Sequence, residues 1–249
     1  MKILSFDVGI KNLAYIIIEF KTNDENILEY KISDWDIIDL SKTFLEKNVY
    51  CSVTKHGNIC KNIALNYVKL DKIKLGFCKN KICQSVLNST YKKKNIKKNK
   101  KITTKDISLY ELGTELIKKL KLKENLLNVD IIVIENQPVL KNPTMKSIQM
   151  ILYSFFLINN IDNCFKIVLF NALKKLDIYD GPDLDTTYDK KNYNHRKKLS
   201  IEYTKYFLEK NKETDKLDFF SKSSKKDDLA DCYLQCLTYY NKNKSKLNA

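Results

Sequence analysis

Four carboxylates occupy positions that the predicted secondary structure can bring together. Asp7 lies within a short apolar run that is typical of a strand, and Glu135 ends another such run. Asp228 and Asp231 lie three residues apart at the start of an amphipathic, helix-like segment. A carboxylate is costly to bury in an apolar strand unless a cation or hydrogen-bond donors compensate its charge. The set therefore predicts a divalent-metal centre, because Mg²⁺ prefers oxygen ligands and needs only a few of them from the protein.

The same acids also have purely structural interpretations. Asp7 could accept a hydrogen bond from the backbone of the turn that follows it. Asp228 and Asp231 could stabilise the positive end of a helix, as aspartates often do. Asp227 fits that structural role best, as the residue that caps the helix.

Four segments carry a resemblance to a known family: Ser5-Phe-Asp-Val-Gly-Ile-Lys-Asn-Leu-Ala14, Ile134-Glu-Asn-Gln137, Met145-Lys-Ser-Ile-Gln149 and Lys226-Asp-Asp-Leu-Ala-Asp231. With these segments in this order, the chain resembles the RuvC-like Holliday-junction resolvases of poxviruses and other large DNA viruses, within the RNase H-like superfamily. The resemblance implies an α/β fold with a mixed five-stranded RNase H-like sheet and flanking helices. It also implies a metal-dependent endonuclease that resolves four-way junctions and related branched DNA during viral genome processing.

The resemblance gives each of the four acids a role. Asp7, Glu135, Asp228 and Asp231 would bind Mg²⁺ or Mn²⁺, with two ions per active site. Two such ions about 3.5–4 Å apart activate a water and stabilise the leaving 3′ oxygen of a phosphodiester. Asp7 and Glu135 would lie on neighbouring parallel strands, whose carboxyl ends form the usual ligand-binding edge of an α/β sheet.

Other polar side chains are expected to support this centre. Gln137 follows Glu135 by two residues, so both point the same way in an extended chain, and Gln137 could hold a metal-bound water. The resemblance also implies phosphate contacts, although each candidate could equally be an ordinary surface residue. The candidates are Lys146, Lys174, Arg196, Lys197 and Lys198.

An insert of residues 46–101 is predicted to interrupt the nuclease domain, which would comprise residues 1–45 and 102–249. The insert contains Cys51, Cys60, Cys78 and Cys83, a set that predicts a tetrahedral structural Zn²⁺ site. Unpaired buried cysteines are the alternative, and His56 could replace one thiol. The Lys-rich run 91–101 that ends the insert is interpreted as a mobile linker that also attracts phosphates.

The hydrophobic pattern predicts the elements of the nuclease domain. Strands are expected at 2–8, 13–20, 27–39, 129–135 and 165–170. Helices are expected from a start at 104–106 to about 123, and at 144–159, 195–210 and 226–240. Residues 171–194 are polar and are predicted to form a long surface loop.

Composition limits the kinds of partner. The net charge of +15 favours a polyanion such as nucleic acid, although a coding bias toward lysine would also produce such a chain. No apolar run approaches the ~20 residues of a membrane span, so no membrane partner is expected. The chain starts directly with a predicted strand, which predicts no signal peptide and an intracellular, reducing location. The resemblance to viral resolvases implies that this location is the host cytoplasm or a viral replication factory.

Symmetric resolution of a junction needs two incisions, so a homodimer is predicted. The alternative function is a catalytically silent nucleic-acid-binding protein with the RNase H fold, of the RNA-splicing accessory type. The presence of all four acids argues against that alternative. A sugar-kinase or actin-like ATPase is disfavoured, because those folds need a second Gly-rich phosphate loop and this chain has only five glycines, none clustered.

Overall fold

The computed structural model describes residues 1–21, 29–55, 57–140, 142–160, 165–171, 174–182 and 192–247. The chain divides into two compact units, which we call the sheet unit (Met1–Leu40 with Leu109–Ala249) and the cysteine unit (Ser41–Ser108). The predicted insert boundaries, 46 and 101, lie five and seven residues inside the cysteine unit. The functions assigned to the two parts remain predictions.

Within the described residues, the strands are β1 (Lys2–Asp7), β2 (Leu13–Phe20), β3 (Tyr30–Ile38), β4 (Thr54–Lys55), β5 (Asn58–Ile59), β6 (Asn66–Leu70), β7 (Ile73–Phe77), β8 (Ile96–Lys98), β9 (Ile131–Glu135) and β10 (Lys166–Phe170). The α-helices in the same residues are α1 (Lys42–Leu45), α2 (Lys81–Thr90), α3 (Leu109–Lys121), α4 (Pro143–Asn159), α5 (Tyr193–Lys210), α6 (Thr214–Lys222) and α7 (Lys226–Leu247).

The predicted mixed five-stranded sheet with flanking helices is confirmed. β1, β2 and β3 form an antiparallel meander, and β9 and β10 run parallel to β1, so the order across the sheet is β10-β9-β1-β2-β3. Alternate residues of a strand face opposite sides of a sheet. Ile3 therefore lies in the core beneath α5, α6 and α7, whereas the ring of Phe6 meets Phe156 of α4 on the other side. Helices cover both faces, as is usual around buried parallel strands.

Three features of the structure differ from the elements predicted from the sequence. The expected helix start at 104–106 is a separate 3₁₀ turn, Thr104–Asp106, and α3 begins only at Leu109. The polar stretch before the last helix contains α6, whose Phe220 stacks on Trp35 of β3. The predicted surface loop 171–194 lies partly outside the described residues, but Lys175 and Leu176 within it are buried.

The cysteine unit has its own small core. β6, β7 and β8 form a three-stranded sheet in the order β7-β6-β8, and β4 pairs with β5. Val68 and Phe77 pack against the thiols in this core. Part of the run 91–101, predicted to be a mobile linker, instead forms regular structure, because the backbone of β8 pairs with β6 and Ile96 packs against the core.

Candidate active site

Asp7 and Glu135 lie side by side at one edge of the five-stranded sheet. They end β1 and β9, which run parallel and are paired up to Phe6 and Ile134. Because side chains alternate along a strand, both carboxyl groups share the sheet face on which Ile3 and Ile131 pack with α7. The two carboxyl groups are close enough that the charge of Glu135 raises the pKa of Asp7.

Helix α7 brings the other two acids to the same place. Asp228 and Asp231 lie in its first turns, at the amino-terminal end. Further along α7, the buried Gln235 amide donates to Ser5 Oγ (3.0 Å), to the Phe6 carbonyl (3.0 Å) and more distantly to the Val133 carbonyl (3.4 Å). This side chain therefore ties the helix to both of the strands that carry Asp7 and Glu135.

The four predicted acids line one open cavity of about 370 Å³. The turn between β1 and β2 forms part of its wall, and Gly9 is required there because a Cβ at this position would lie 2.4 Å from the Asn12 carbonyl oxygen. The remaining lining residues are Gln137, Met145, Lys175, Tyr193, Arg196, Lys197 and Ser200.

The cavity concentrates negative charge. Burial raises the pKa of Asp7 well above its ordinary value, and the charges of Glu135 and Asp231 raise it further. Burial, followed by the charge of Asp227, raises the pKa of Asp228 to about 6. Burial likewise raises the pKa of Asp231, although Lys175 opposes the shift. Carboxylates placed this close together favour a cation between them.

Residues 3–139 match the family described as mitochondrial resolvase Ydc2 / RNA splicing MRS1, catalytic part. An uncharacterized protein of Acanthamoeba polyphaga mimivirus is 31% identical over an alignment that covers 94% of this chain and 73% of that protein. The chain belongs to the Ydc2 family.

Solved structures of three resolvases are similar to this Ydc2-family chain at low sequence identity. The fowlpox virus resolvase, in complex with Holliday-junction DNA, is 17% identical, with a TM-score of 0.49 and coverage of 97% of this chain and 98% of that one. The yeast mitochondrial Holliday-junction resolvase Ydc2 is 14% identical, with a TM-score of 0.45 and coverage of 98% and 85%. Thermus thermophilus RuvC is 8% identical, with a TM-score of 0.46 and coverage of 98% and 97%.

One residue of this Ydc2-family site was missed from the sequence. Lys175 is buried, and its ammonium group forms an ion pair with Asp231. Burial alone would lower the pKa of Lys175, but the charges of Asp231, Asp7 and Glu135 raise it above the ordinary value, so the side chain stays protonated. Its predicted neighbour, Lys174, is exposed and does not line the cavity. The sequence contains one indication that part of this loop is buried, namely the apolar Leu176. Removing such a side chain from water is favourable, and Leu176 is buried in the structure.

Gln137 contacts Glu135 directly. Its side-chain amide donates to Glu135 Oε2 at 2.7 Å, and its backbone N–H donates to Gln149 Oε1 at 2.8 Å. Lys146 donates to the same Gln149 oxygen and to Asn136 Oδ1, at 3.2 and 2.9 Å, and is not among the lining residues. Gln137 thus orients Glu135, while Lys146 is bonded to the loop that follows β9.

The basic candidates on α5 differ in position. Arg196 and Lys197 line the cavity, whereas Lys198 is exposed and lies outside its lining. The Lys197 ammonium is 2.5 Å from Asp227 Oδ2 and 5.0 Å from the centre of the Tyr193 ring. Asp227, which was expected to be only a helix cap, is therefore also the partner of a cavity lysine.

The cysteine unit of the family member holds a second cluster of metal-ligand type. The sulfur atoms of Cys51, Cys60, Cys78 and Cys83 all lie within 4.8 Å of one another. Cys83 lies on α2 rather than on a loop, and the other three lie outside the helices. Burial alone would raise the pKa of Cys78, but hydrogen bonds from the Asn80 backbone and from the other thiols lower it to about 7. His56 lies outside the described residues.

Among the described residues, no helix has both the length and the apolar character that a bilayer crossing requires.

Proposed function

We propose that this protein is a divalent-metal-dependent, structure-selective DNA endonuclease that resolves four-way junctions and related branched DNA. The proposal rests on one observation: four acids line the same open cavity. They are Asp7, Glu135, Asp228 and Asp231. The family description pairs a resolvase with an RNA-splicing protein, so membership alone does not separate a nuclease from a silent relative. Four neighbouring carboxylates repel one another and destabilise the fold unless a cation offsets their charge. A catalytically silent relative would gain nothing from such an arrangement.

The residues present fit Mg²⁺ or Mn²⁺. The cavity offers carboxylate oxygens and neither thiol nor imidazole among its described lining residues, and hard divalent cations prefer oxygen. Asp7, Glu135, Asp228 and Asp231 would hold the metal. When bound, two ions would activate the attacking water and stabilise the leaving 3′ oxygen. The closeness of Asp7 and Glu135 at the ends of paired strands supports this assignment, since two carboxyl groups placed side by side favour a cation beside them.

The chain's own side chains prepare the site for an anionic substrate. Gln137 fixes Glu135 through a charge-assisted hydrogen bond. Lys175 neutralises part of the charge of Asp231 from the buried side of the cavity. Arg196 and Lys197 line the cavity, where they can contact a phosphate of the bound strand. Lys146, Lys174 and Lys198 remain candidate phosphate contacts outside the lining.

The thiol cluster is proposed as a structural Zn²⁺ site. Four sulfurs within 4.8 Å of one another match the requirement of tetrahedral coordination, and no further position is needed for a substrate. The lowered pKa of Cys78 supports the assignment, because thiolate rather than thiol binds the metal. Zn²⁺ would then contribute directly to the folding energy of the cysteine unit.

The active species is proposed to be a homodimer. A four-way junction is cut symmetrically when two incisions occur at positions related by a two-fold axis, and each chain has one acid cluster.

The mimivirus relative supports a viral role, in genome processing within an infected cell, either in the cytoplasm or in a viral replication factory.

The test compares labelled four-way junction with linear duplex of the same sequence, each with Mg²⁺ and with EDTA. We expect paired incisions in the junction only when Mg²⁺ is present, and little cutting of the duplex. Absence of cleavage with both Mg²⁺ and Mn²⁺, together with tight binding of structured RNA, would instead support the silent splicing type of protein.

A further inference from the structure

Almost all of the net charge lies in the cysteine unit. Its 68 residues contain 17 lysines, no arginine and three acids, a balance of +14, whereas the whole chain carries +15. The other 181 residues contain 28 basic and 27 acidic side chains, a balance of +1. A coding bias toward lysine acts on the whole chain, so it does not explain why acids are nearly absent from this unit alone.

These lysines are not neutralised within their own unit. Every ion pair found among the described residues joins two residues of the sheet unit. Of the three acids in the cysteine unit, Asp106 is engaged by the backbone and hydroxyl of Thr103. The unit therefore presents a strong positive field to any polyanion that approaches it.

One face of the three-stranded sheet β7-β6-β8 is apolar. Val68 of β6 lies opposite Leu75 of β7 and Ile96 of β8 in the two registers. All three side chains pack in the core of the unit, together with Phe77. Since alternate residues face opposite sides, the positions between them must point away from this core.

Of those alternate positions, Tyr67, Lys69, Lys74 and Lys97 form what we call the basic sheet face, whereas Gly76 is buried against the Tyr50 carbonyl. In the antiparallel registers Tyr67 lies opposite Lys97, and Lys69 lies opposite Lys74. All three lysines are exposed. The Lys74 ammonium lies 5.2 Å from the centre of the Tyr67 ring.

The pair of Lys69 and Lys74 is unfavourable in the unbound protein. Like charges directly opposite each other on a sheet repel and destabilise the pairing. Neither lysine has an ion-pair partner among the described residues. An anionic ligand bound over this face would attract both lysines and so offset their mutual repulsion.

We propose that the basic sheet face binds the phosphate backbone of a DNA duplex arm, without regard to its sequence. Lysines act as point charges and release counterions from phosphates, and this face has none of the forked arginine, asparagine or glutamine side chains that recognise bases through two hydrogen bonds. The three strands together span about 10 Å across the sheet. Three successive phosphates of one DNA strand cover about the same distance along the helix axis. A single-stranded ligand is disfavoured, because such sites use several aromatic rings and this face has only Tyr67, already covered by Lys74.

The choice of DNA over RNA rests on the proposed function, whereas the phosphate chemistry rests on the charge of the face itself. The test therefore measures binding rather than cleavage. Labelled junction and linear duplex are titrated by fluorescence anisotropy over a range of NaCl concentrations, with no divalent cation added. No chelator is used, because removing Zn²⁺ would disturb the unit under study.

The test variant is Lys69→Gln/Lys74→Gln/Lys97→Gln, and the matched control is Lys42→Gln/Lys61→Gln/Lys105→Gln. The control removes the same charge from exposed positions of the same unit outside the three-stranded sheet. We expect the test variant to reduce the slope of log K against log[salt] by roughly 2–3 and to weaken binding at 100 mM salt by about tenfold or more. The control should change the slope by less than about 1.

A third variant separates charge from folding. Lys69→Arg/Lys74→Arg/Lys97→Arg keeps the positive face, so binding and salt slope should return to those of the unaltered protein. An unchanged slope in the glutamine variant, or an equal loss in the matched control, would overturn the proposal of a specific face. Tighter binding of a structured RNA than of either DNA would overturn the choice of duplex DNA. Failure of the protein to cleave any DNA would leave these binding results intact and would count against the proposed function alone.

Discussion

The ammonium group of Lys175 is paired with a carboxylate oxygen of Asp231 at the buried side of the acidic cavity. The side chains are 9% and 19% exposed, so water weakens the attraction only in part. Thr238 of α7 donates to the Lys175 carbonyl at 3.1 Å and holds the backbone of this residue in place. One acid of the cluster is therefore already compensated by a cation of the protein itself.

Replacing Lys175 by Met should destabilise the protein, because Asp231 then loses its partner. Breaking a buried ion pair costs about 3–5 kcal/mol, and the partial exposure of Asp231 reduces our expectation to about 2–3 kcal/mol of unfolding free energy. Urea unfolding measures the change. Added Mg²⁺ should recover part of it by supplying a cation.

The control is Lys174→Met at the neighbouring, exposed position, which should change the free energy of unfolding by less than about 0.5 kcal/mol. Equal effects at positions 174 and 175 would contradict the structural importance of the ion pair.

Asp7→Asn and Glu135→Gln should abolish junction cleavage while junction binding is kept. Each change removes a metal ligand but also removes negative charge that faces the phosphate, so a gel-shift assay without divalent cations should show binding at least as tight as that of the unaltered protein. Asp218→Asn, an exposed acid on α6, is the control and should cut normally. Full activity in Asp7→Asn would refute the assignment of the metal site.

Gln235→Leu should lower both stability and cleavage. The substitution leaves the Ser5 hydroxyl and the strand carbonyls without their buried donor, which costs about 1–3 kcal/mol of unfolding free energy. It also releases the strands that carry Asp7 and Glu135, so the turnover rate should fall even where the protein remains folded. The control is Asn243→Ala on the same helix, which should change stability and cleavage only slightly. Normal turnover in Gln235→Leu would show that the hydrogen bonds of Gln235 are not needed for catalysis.

Purified protein should contain about one Zn²⁺ per chain, measured by elemental analysis. Removal of the metal should make residues 41–108 sensitive to protease, because a structural site contributes to folding. Cys78→Ser should lose the ion, whereas Cys232→Ser, in α7, should retain it. Protein purified without chelator that contains no zinc would contradict this assignment.

Sedimentation should detect a dimer of the protein, alone or on a four-way junction. The candidate contact surfaces are the Lys-rich α3 and the apolar α4, although α4 also buries Ile148, Leu152 and Phe156 in its own unit. A single chain per junction that still makes paired, symmetric cuts would refute the dimer.

The sequence was informative where chemistry and hydrophobic pattern coincide. Asp7 and Glu135 follow runs of buried strand residues, so their strands and their common edge could be predicted together. Lys175 could not be found in this way, because an ion pair with a residue 56 positions away, rather than periodicity, accounts for its burial. Helix α6 was missed for a similar reason: its polar composition conceals Phe220, whose packing on Trp35 depends on the tertiary fold.

The place at which the cysteine unit joins the chain has a further consequence. It follows β3, which is one of the two edge strands of the five-stranded sheet, and it ends just before α3. A segment added after an edge strand interrupts no pairing between strands, and lengthening it costs only a slowly growing loop entropy. This junction is therefore a natural point for exchange of modules. A short linker could replace residues 41–108, or a different DNA-binding module could be grafted there, without a change in the strand order that assembles the acids.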